Sequence, residues 1–171
     1  LVAGNEPTTT LIGNAALELM QRPEEAAALR ADSGLLPGAI EEVLRFSAPI
    51  QFDPRRVTRP VEVCGTELRE GDLVLSWLAS GNRDERVFED PFRFDTTRDP
   101  NPHLAFGGYG AHFCLGNALA RLELRVMFEE LLRRIPDMEL ASAAHPALRP
   151  ANFVVGIEEL PVRFGPFAVE G

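Results

Sequence analysis

The segment from Gly107 to Gly116 constrains this chain more than any other, because four glycines surround one cysteine, Cys114, directly before the most regular helical pattern in the sequence. Apolar residues at helical spacing predict a helix over 115–135, which a proline ends. We therefore expect Cys114 at a helix N-terminus, where unpaired backbone N–H groups and the helix dipole favour a thiolate. A thiolate that the backbone can approach closely is suited to act as a nucleophile or a metal ligand.

Cys114 by itself is compatible with several kinds of site. A free cysteine also behaves as a small hydrophobe, so a buried structural role fits equally well. The run 107–112 lacks the Gly-Lys-Ser/Thr ending of a phosphate-binding loop, and Cys114 with His103 and His112 makes a poor zinc ligand set. A cysteine-hydrolase nucleophile needs a base supplied by the fold, and the sequence leaves that alternative open.

The charge balance argues against a nucleic-acid or anionic-membrane partner. The 17 basic residues are all arginines and face 26 acidic ones, giving a net charge of −9. We expect small molecules or proteins as partners, and no membrane span, because no apolar run approaches the roughly 20 residues that cross a bilayer. Two cysteines do not make a disulfide-dense secreted scaffold, so a reducing cytoplasm is the expected location.

The remaining patterns predict a mainly α fold with small β-sheets (α+β) in one domain. Proline after Arg22 ends the first helix, and Pro37 suits the first turn of another. Near the C-terminus, the patterns of 153–157 and 160–164 predict either a short hairpin or two strand pieces. The predicted segments are a helix over 1–20, a helix over 36–46, a sheet over 55–78, an irregular connection over 80–105, the glycine-rich loop and its helix over 106–135, and strands within 150–165.

The stretch Phe106-Gly107-Gly108-Tyr109-Gly110-Ala111-His112-Phe113-Cys114-Leu115-Gly116 resembles the haem-binding loop of the cytochrome P450 family. The resemblance implies that Cys114 is the axial ligand of haem b iron, with the N–H groups of Leu115 and Gly116 donating to its sulfur. Three further residues are implied in cofactor binding: Phe106 near the proximal haem face, Gly108 in the loop, and His112 at a haem propionate. Phe106 departs from the family pattern, because it lies eight positions before the cysteine instead of the usual seven.

Glu42 and Arg45 are three residues apart, on one side of the predicted helix, where they can pair. Alone, such a pair is more often a solvated surface contact. The resemblance implies instead a buried structural triad of Glu42, Arg45 and Arg93, the last from Pro91-Phe92-Arg93-Phe94. It also implies that Arg55, with Arg56 as the fallback, binds a haem propionate.

The beginning of the chain, Ala3-Gly4-Asn5-Glu6-Pro7-Thr8, resembles the oxygen-binding groove of the family's distal helix. There an acid is followed by a threonine that directs protons to bound oxygen. Glu6 keeps the acid, but Pro7 occupies the threonine position and offers neither hydroxyl nor N–H. Thr8 is the remaining candidate beside Glu6, although at about 100° per residue it points in another direction on a straight helix.

The resemblance implies a haem-thiolate monooxygenase that uses dioxygen, a small organic substrate and a ferredoxin-type or flavoprotein electron donor. It covers the C-terminal, haem-binding part of the family's fold, so we expect a longer parent enzyme and an isolated chain that folds poorly. Two alternatives stay open: a truncated, inactive remnant, and a helical interaction module without haem. The arginines of the last helix are either a docking surface for the electron donor or an ordinary solvated face: Arg121, Arg125, Arg133 and Arg134.

Overall fold

The computed structural model describes residues 2–108 and 110–166, with only the backbone of Val2 and Ala3. Leu1, the first residue of the expected N-terminal helix, and Tyr109, in the glycine-rich loop, lie outside the described residues. The elements in chain order are α1 (Val2–Met20), α2 (Pro23–Ala31), a 3-10 turn (Ser33–Leu35), α3 (Leu36–Phe46), β1 (Phe52–Arg56), β2 (Val61–Val63), β3 (Thr66–Leu68), β4 (Leu73–Trp77), α4 (Leu78–Gly81), α5 (Asn117–Arg134), β5 (Glu139–Leu140) and β6 (Val162–Arg163).

Four helices, α1, α2, α3 and α5, share the main apolar core. Leu11, Ala15 and Leu19 recur along α1 at helical spacing and belong to one buried cluster with Leu44 of α3 and Leu124 of α5. Fully burying such a side chain contributes roughly 1.5–3 kcal/mol. The core therefore fixes α5, and with it the residues just before α5, relative to α1 and α3.

Local signals explain where α2 and α3 begin and end. Pro23 occupies the first turn of α2, and a proline also occupies the first turn of α3. The C-terminus of α3 is closed by the Ser47 N–H, which donates to the Val43 carbonyl over 2.9 Å. The observed α3, Leu36–Phe46, has the bounds expected from the sequence.

The small sheet expected over 55–78 is two separate antiparallel ladders. β1 pairs with β4, with Phe52 opposite Trp77, and β2 pairs with β3. The β2–β3 turn uses left-handed backbone at Cys64 (φ 51°) and Gly65 (φ 76°), which suits a two-residue hairpin loop. The first ladder begins at Phe52, earlier than expected, because the Phe52 ring packs against Trp77 and Phe153 with centroids 5.0 and 5.5 Å apart.

Of the two interpretations of 153–157 and 160–164, two separate strand pieces are observed and the hairpin is not formed. β6 pairs instead with β5, while Val154 bridges to Ile50 and Ile157 bridges to Leu148. The residues that would form the hairpin loop are Glu158 and Glu159. A two-residue loop needs positive φ angles that glutamate does not favour, so each segment pairs with a more distant strand.

The connection over 80–105 is irregular and closely packed. Asn82 is fully buried, and Phe88 and Phe94 are 3% and 5% exposed. The helix that was expected to begin at residue 115 begins two residues later, at Asn117.

Within residues 2–108 and 110–166, no helix has the length and apolar character needed to cross a membrane.

Candidate functional site

The glycine-rich loop (residues 106–116) folds back so that its cysteine lies next to its first residue. The Cys114 N–H donates to the Phe106 carbonyl over 3.0 Å, and the Phe113 N–H donates to the Gly110 carbonyl over 3.1 Å. Gly110 has a φ of 131°, a conformation that side-chain-bearing residues rarely adopt. These bonds hold the half-buried Cys114 just before α5.

The start of α5 presents unsatisfied donors beside Cys114. The Cys114 carbonyl accepts a 2.7 Å hydrogen bond from Nδ2 of Asn117. The N–H groups of Leu115 and Gly116 donate to no acceptor within the described part of the chain. Free N–H groups at a helix start, together with the helix dipole, attract negative charge.

The backbone around Cys114 is open. A Cβ added to Gly108, Gly110 or Gly116 would meet no atom within 4 Å. The side chain of Leu115 is 100% exposed and that of Phe113 is 43% exposed. The loop therefore offers an apolar surface next to a thiol.

Phe106 links the loop to its surroundings through its ring. The ring centroid lies 6.5 Å from that of Phe113 and 6.0 Å from that of His103. The guanidinium of Arg121, on α5, lies 4.6 Å from the Phe106 centroid, a distance suited to a cation–π contact.

The strand β1 brings Arg55 to the same region. Asp53 lies beside the loop, because a Cβ on Gly107 would be 3.7 Å from Asp53 Oδ2. Arg55 donates to Asp53 Oδ2 over 3.2 Å and keeps half of its side chain exposed. Arg56, the fallback, donates to the Gly71 carbonyl over 3.0 Å, and His112 is exposed on the loop. The carboxylate-binding roles of Arg55 and His112 stay predictions.

Glu42 and Arg45 lie in the interior, paired in two hydrogen bonds. Arg45 Nε and Nη2 donate to the two Glu42 oxygens over 2.8 and 2.7 Å, and both side chains are fully buried. Arg45 Nη1 also donates to the carbonyls of Asn82 and Pro91, each over 2.8 Å. The pair thus fastens the irregular connection to α3.

The third arginine of this cluster is Arg98, and the prediction of Arg93 was wrong. Arg98 Nε donates to Glu42 Oε2 over 3.2 Å, whereas the Arg93 side chain is 68% exposed and lies 3.8 Å from Asp95. Arg93 supplies its carbonyl, which accepts from Arg45 over 3.1 Å. Arg93 lies at the end of a turn in which its N–H donates to the Asp90 carbonyl over 2.9 Å.

Two asparagines, the fully buried Asn82 and the half-buried Asn101, also belong to the cluster and were missed from the sequence. Asn82 Oδ1 accepts the Leu104 N–H over 2.7 Å, and Asn101 Nδ2 donates to Glu42 over 3.1 Å. Asparagine next to glycine or proline is the usual composition of an exposed turn. Sequence pattern alone therefore could not distinguish these residues from turn formers.

Glu41, next to Glu42, was also missed and is the most strongly perturbed acid of the site. Burial alone would raise the pKa of Glu41, but hydrogen bonds from Arg121 and His103 outweigh that effect and lower the pKa from 4.5 to about 2. The doublet Glu41-Glu42 was the available signal: both acids can reach Arg45 on a helix, at i,i+4 and i,i+3, and Arg45 takes only Glu42, which leaves Glu41 for other partners.

The α5 arginines proposed as a docking surface are all engaged by carboxylates. Arg121 binds Glu41 over 2.6 Å from α3. Arg125 binds Glu129 over 2.8 Å, and Arg133 and Arg134 both pair with Glu130. Three of the four form pairs within α5 itself, as on an ordinary solvated helix face.

The acid predicted in the oxygen-binding groove lies on an unbroken helix, since α1 continues through Pro7. Glu6 Oε1 lies 3.5 Å from Arg149 Nη1, and Thr8 is half-buried. Within the described residues, no hydrogen bond or ion pair joins Glu6 or Thr8 to the glycine-rich loop.

The buried Glu42–Arg45 pair and the cysteine loop directly before a long helix are the features by which the chain resembles the cytochrome P450 family. Residues 1–139 match the cytochrome P450 family, and the chain belongs to that family. A steroid C26-monooxygenase of Mycolicibacterium smegmatis is 49% identical over 168 residues, 98% of this chain and 42% of the relative. A methyl-branched lipid omega-hydroxylase of Mycobacterium tuberculosis is 46% identical over 163 residues, 95% of this chain and 38% of the relative.

Solved structures agree with the mainly α fold with small sheets. CYP109E1 from Bacillus megaterium, in complex with testosterone, superposes with a TM-score of 0.92 at 41% identity. The match covers 96% of this chain and 46% of that protein. The chain therefore spans less than half the length of these relatives.

Cytochromes P450 contain haem, and the residues present fit such a group. The open glycines, the exposed Leu115 and the free N–H groups beside Cys114 leave room for a flat apolar ligand and donors for a bound thiolate. No three His, Cys, Asp or Glu side chains in the described ranges converge as an ion site. One protein ligand suffices where a porphyrin supplies the other donors to iron.

Proposed function

We propose that this chain forms the haem-holding part of a cytochrome P450 monooxygenase in which the Cys114 thiolate would hold the haem iron. The observation that carries the proposal is the position of Cys114, held by hydrogen bonds at the start of α5, with no acceptor for the Leu115 and Gly116 N–H groups among the described residues. When bound, haem b supplies the activation of dioxygen and the insertion of one oxygen atom into an organic substrate.

The chain's own residues hold and orient that group. The Leu115 and Gly116 N–H groups donate to the Cys114 sulfur and so stabilise its negative charge. Phe106 would pack near the proximal face of the haem. Gly108, which has no side chain, would let the loop backbone approach the haem closely. Arg55 and His112 bind the propionates, since each is exposed and Arg55 is anchored beside the loop by Asp53.

On the distal side, Glu6 is the proposed proton donor, and Thr8 is the proposed hydroxyl because it follows Pro7 directly in the sequence. Pro7 supplies no hydroxyl, so proton delivery is expected to be slow or to depend on water or a substrate hydroxyl. The ion pair with Arg149 orients the Glu6 carboxylate. Because both side chains are partly exposed, Glu6 can exchange Arg149 for another partner.

The proposed substrate is an apolar molecule of the kind that the relatives' names indicate, a steroid or a branched lipid. The proposed electron donor is a ferredoxin-type protein or a flavoprotein. A cytoplasmic location stays a prediction.

The test is the spectrum of the protein expressed from its full-length gene, loaded with haem, reduced and exposed to carbon monoxide. We expect the absorption band of a thiolate-ligated complex in the wild type and its loss in Cys114→Ser. Cys64→Ser is the matched control, because Cys64 is exposed in the β2–β3 turn and should leave the band unchanged. A thiolate band that survives in Cys114→Ser contradicts the assignment.

A further inference from the structure

Both backbone groups of Cys114 are connected to a single carboxylate on another helix. Glu41 lies on α3, with hydrogen bonds to His103 of the irregular connection and to Arg121 of α5. His103 leads to Cys114 through Ala105 and Phe106, and Arg121 leads to it through Asn117. The two connections share no residue except Glu41 at one end and Cys114 at the other.

The first connection runs through His103 and reaches the Cys114 N–H. His103 Nδ1 accepts the Ala105 N–H over 3.2 Å, so in the neutral ring Nε2 carries the proton and donates to Glu41 Oε2 over 2.9 Å. The His103 side chain is 4% exposed, which keeps water from competing for these bonds. Phe106 follows directly and accepts the Cys114 N–H over 3.0 Å.

The second connection runs through Arg121 and reaches the Cys114 carbonyl. Arg121 Nε and Nη2 donate to the two Glu41 oxygens over 2.6 and 2.8 Å, which fixes the plane of the guanidinium. Its Nη1 then donates to Asn117 Oδ1 over 3.1 Å. Asn117 Nδ2 donates in turn to the Cys114 carbonyl over 2.7 Å.

Arg121, which belongs to the second connection, also contacts a residue of the first. Its guanidinium lies 4.6 Å from the centroid of Phe106, the residue through which the first connection passes. The Glu41 carboxylate is thus the only group in the described residues that bonds to both His103 and Arg121. Its removal would release the N–H side and the carbonyl side of Cys114 together.

We propose that Glu41 is a positioning residue for the axial ligand: through His103 and Arg121 it holds the N–H and the carbonyl of Cys114 and thereby sets the direction of the sulfur. The proposal rests on the proposed haem-thiolate function. It assigns to the first acid of the Glu41-Glu42 doublet a role separate from that of Glu42, which pairs with Arg45.

The test compares Glu41→Gln with Glu129→Gln in the protein expressed from its full-length gene. Both changes remove one carboxylate that binds an α5 arginine, but the Glu129 pair with Arg125 has no connection to the loop. Site-resolved amide hydrogen exchange is measured with and without haem. In Glu41→Gln we expect the Ala105 and Cys114 amides to exchange at least about tenfold faster, as for loss of a hydrogen bond to a charged group.

The second readout is the fraction of the reduced carbon monoxide complex that shows the thiolate band. We expect it to fall in Glu41→Gln and in Arg121→Lys, because lysine keeps the charge but cannot bind Glu41 and Asn117 together. Glu129→Gln should match the wild type in both readouts.

Equal behaviour of Glu41→Gln and Glu129→Gln overturns the proposal. So does an acceleration of exchange that is uniform along α5, including the amide of the buried Leu124, since that indicates general destabilisation. A wild type without the thiolate band overturns the proposed function instead, and the exchange rates of Ala105 and Cys114 still decide whether Glu41 holds the loop.

Discussion

The carboxylate of Glu42 and the guanidinium of Arg45 meet in two hydrogen bonds of 2.8 and 2.7 Å, and neither side chain is exposed at all. A buried ion pair is stable only when its remaining polar atoms also find partners. Carbonyl acceptors surround Arg45, and additional donors surround Glu42: the acceptors are those of Asn82, Pro91 and Arg93, and the donors are Asp95 N–H, Arg98 and Asn101.

Removing the charge of Glu42 should therefore destabilise the folded protein. We expect Glu42→Gln to lower the free energy of unfolding by about 3–5 kcal/mol, because Arg45 becomes a buried charge without a counter-ion. Urea unfolding of the haem-loaded, full-length protein measures the loss. The exposed pair Arg125–Glu129 provides the control, since Glu129→Gln should change the free energy by less than about 1 kcal/mol. Similar losses for both variants would contradict this account.

The assignment of the third arginine can be tested with two matched substitutions. Arg98→Gln removes hydrogen bonds to Glu42 and to the Glu89 carbonyl and should cost about 1.5–3 kcal/mol. Arg93→Gln changes an exposed side chain and should stay within about 0.5 kcal/mol of the wild type. Thermal or urea unfolding distinguishes the two, and the reverse order would restore the original assignment of Arg93.

The contact between Gly156 and Thr10 predicts opposite effects of two glycine-to-alanine changes. A Cβ on Gly156 would overlap the side chain of Thr10, which is 5% exposed and has no room to move aside. We expect Gly156→Ala to destabilise by about 1–3 kcal/mol. Gly13 lies on the same helix as Thr10 with nothing within 4 Å of its Cβ position, so Gly13→Ala should stabilise α1 by about 0.5–1 kcal/mol. A loss of stability in both variants would indicate that the Thr10 contact is not the cause.

The ionisation of Glu41 makes the free energy of unfolding depend on pH between 4.5 and about 2. Burial opposes ionisation, yet hydrogen bonds from Arg121 and His103 hold the pKa of Glu41 at about 2 in the folded protein, against an ordinary 4.5. The unfolded chain therefore takes up the proton first, and the contribution of Glu41 is complete above pH 4.5 and declines from there towards pH 2. The difference in unfolding free energy between the wild type and Glu41→Gln should shrink across this range. A constant difference would contradict the shift.

Pro7 predicts weak coupling between oxygen consumption and substrate oxidation. We expect Pro7→Thr, in the full-length enzyme, to reduce the hydrogen peroxide released per dioxygen consumed, because it restores the hydroxyl beside Glu6. Pro7→Ala is the control, since it restores the backbone N–H without a hydroxyl. Unchanged peroxide release in Pro7→Thr, or equal improvement in Pro7→Ala, would show that the missing hydroxyl is not the reason.

The loop sequence from Phe106 to Gly116, the Glu42–Arg45 helix and the short-range patterns were sufficient to predict the family and the mainly α fold with small sheets, while the role of Cys114 stays a prediction. Short-range patterns carry this information, because helix starts, proline positions and glycine turns depend on neighbouring residues. For the same reason the bounds of α3 followed from the positions of Pro37 and Pro49 and the apolar residues between them.

The sequence did not show which residues or strands pair with each other when they are far apart along the chain. Arg93 and Arg98 are both arginines in one irregular segment, and only the direction of the backbone decides which guanidinium reaches Glu42. Likewise, β6 pairs with the distant β5, and the two glutamates before Leu160 are disfavoured in a tight hairpin turn.

By itself, then, the sequence determined the local elements and the cysteine loop that marks the family, since both depend on interactions between near neighbours. Only the tertiary structure decided that Glu41 joins His103 and Arg121 beneath Cys114, and that Arg98 completes the Glu42–Arg45 cluster. These contacts arise when α3, α5 and the irregular connection pack together. Burial then makes each charged group bind whichever partner the backbone brings within hydrogen-bond distance.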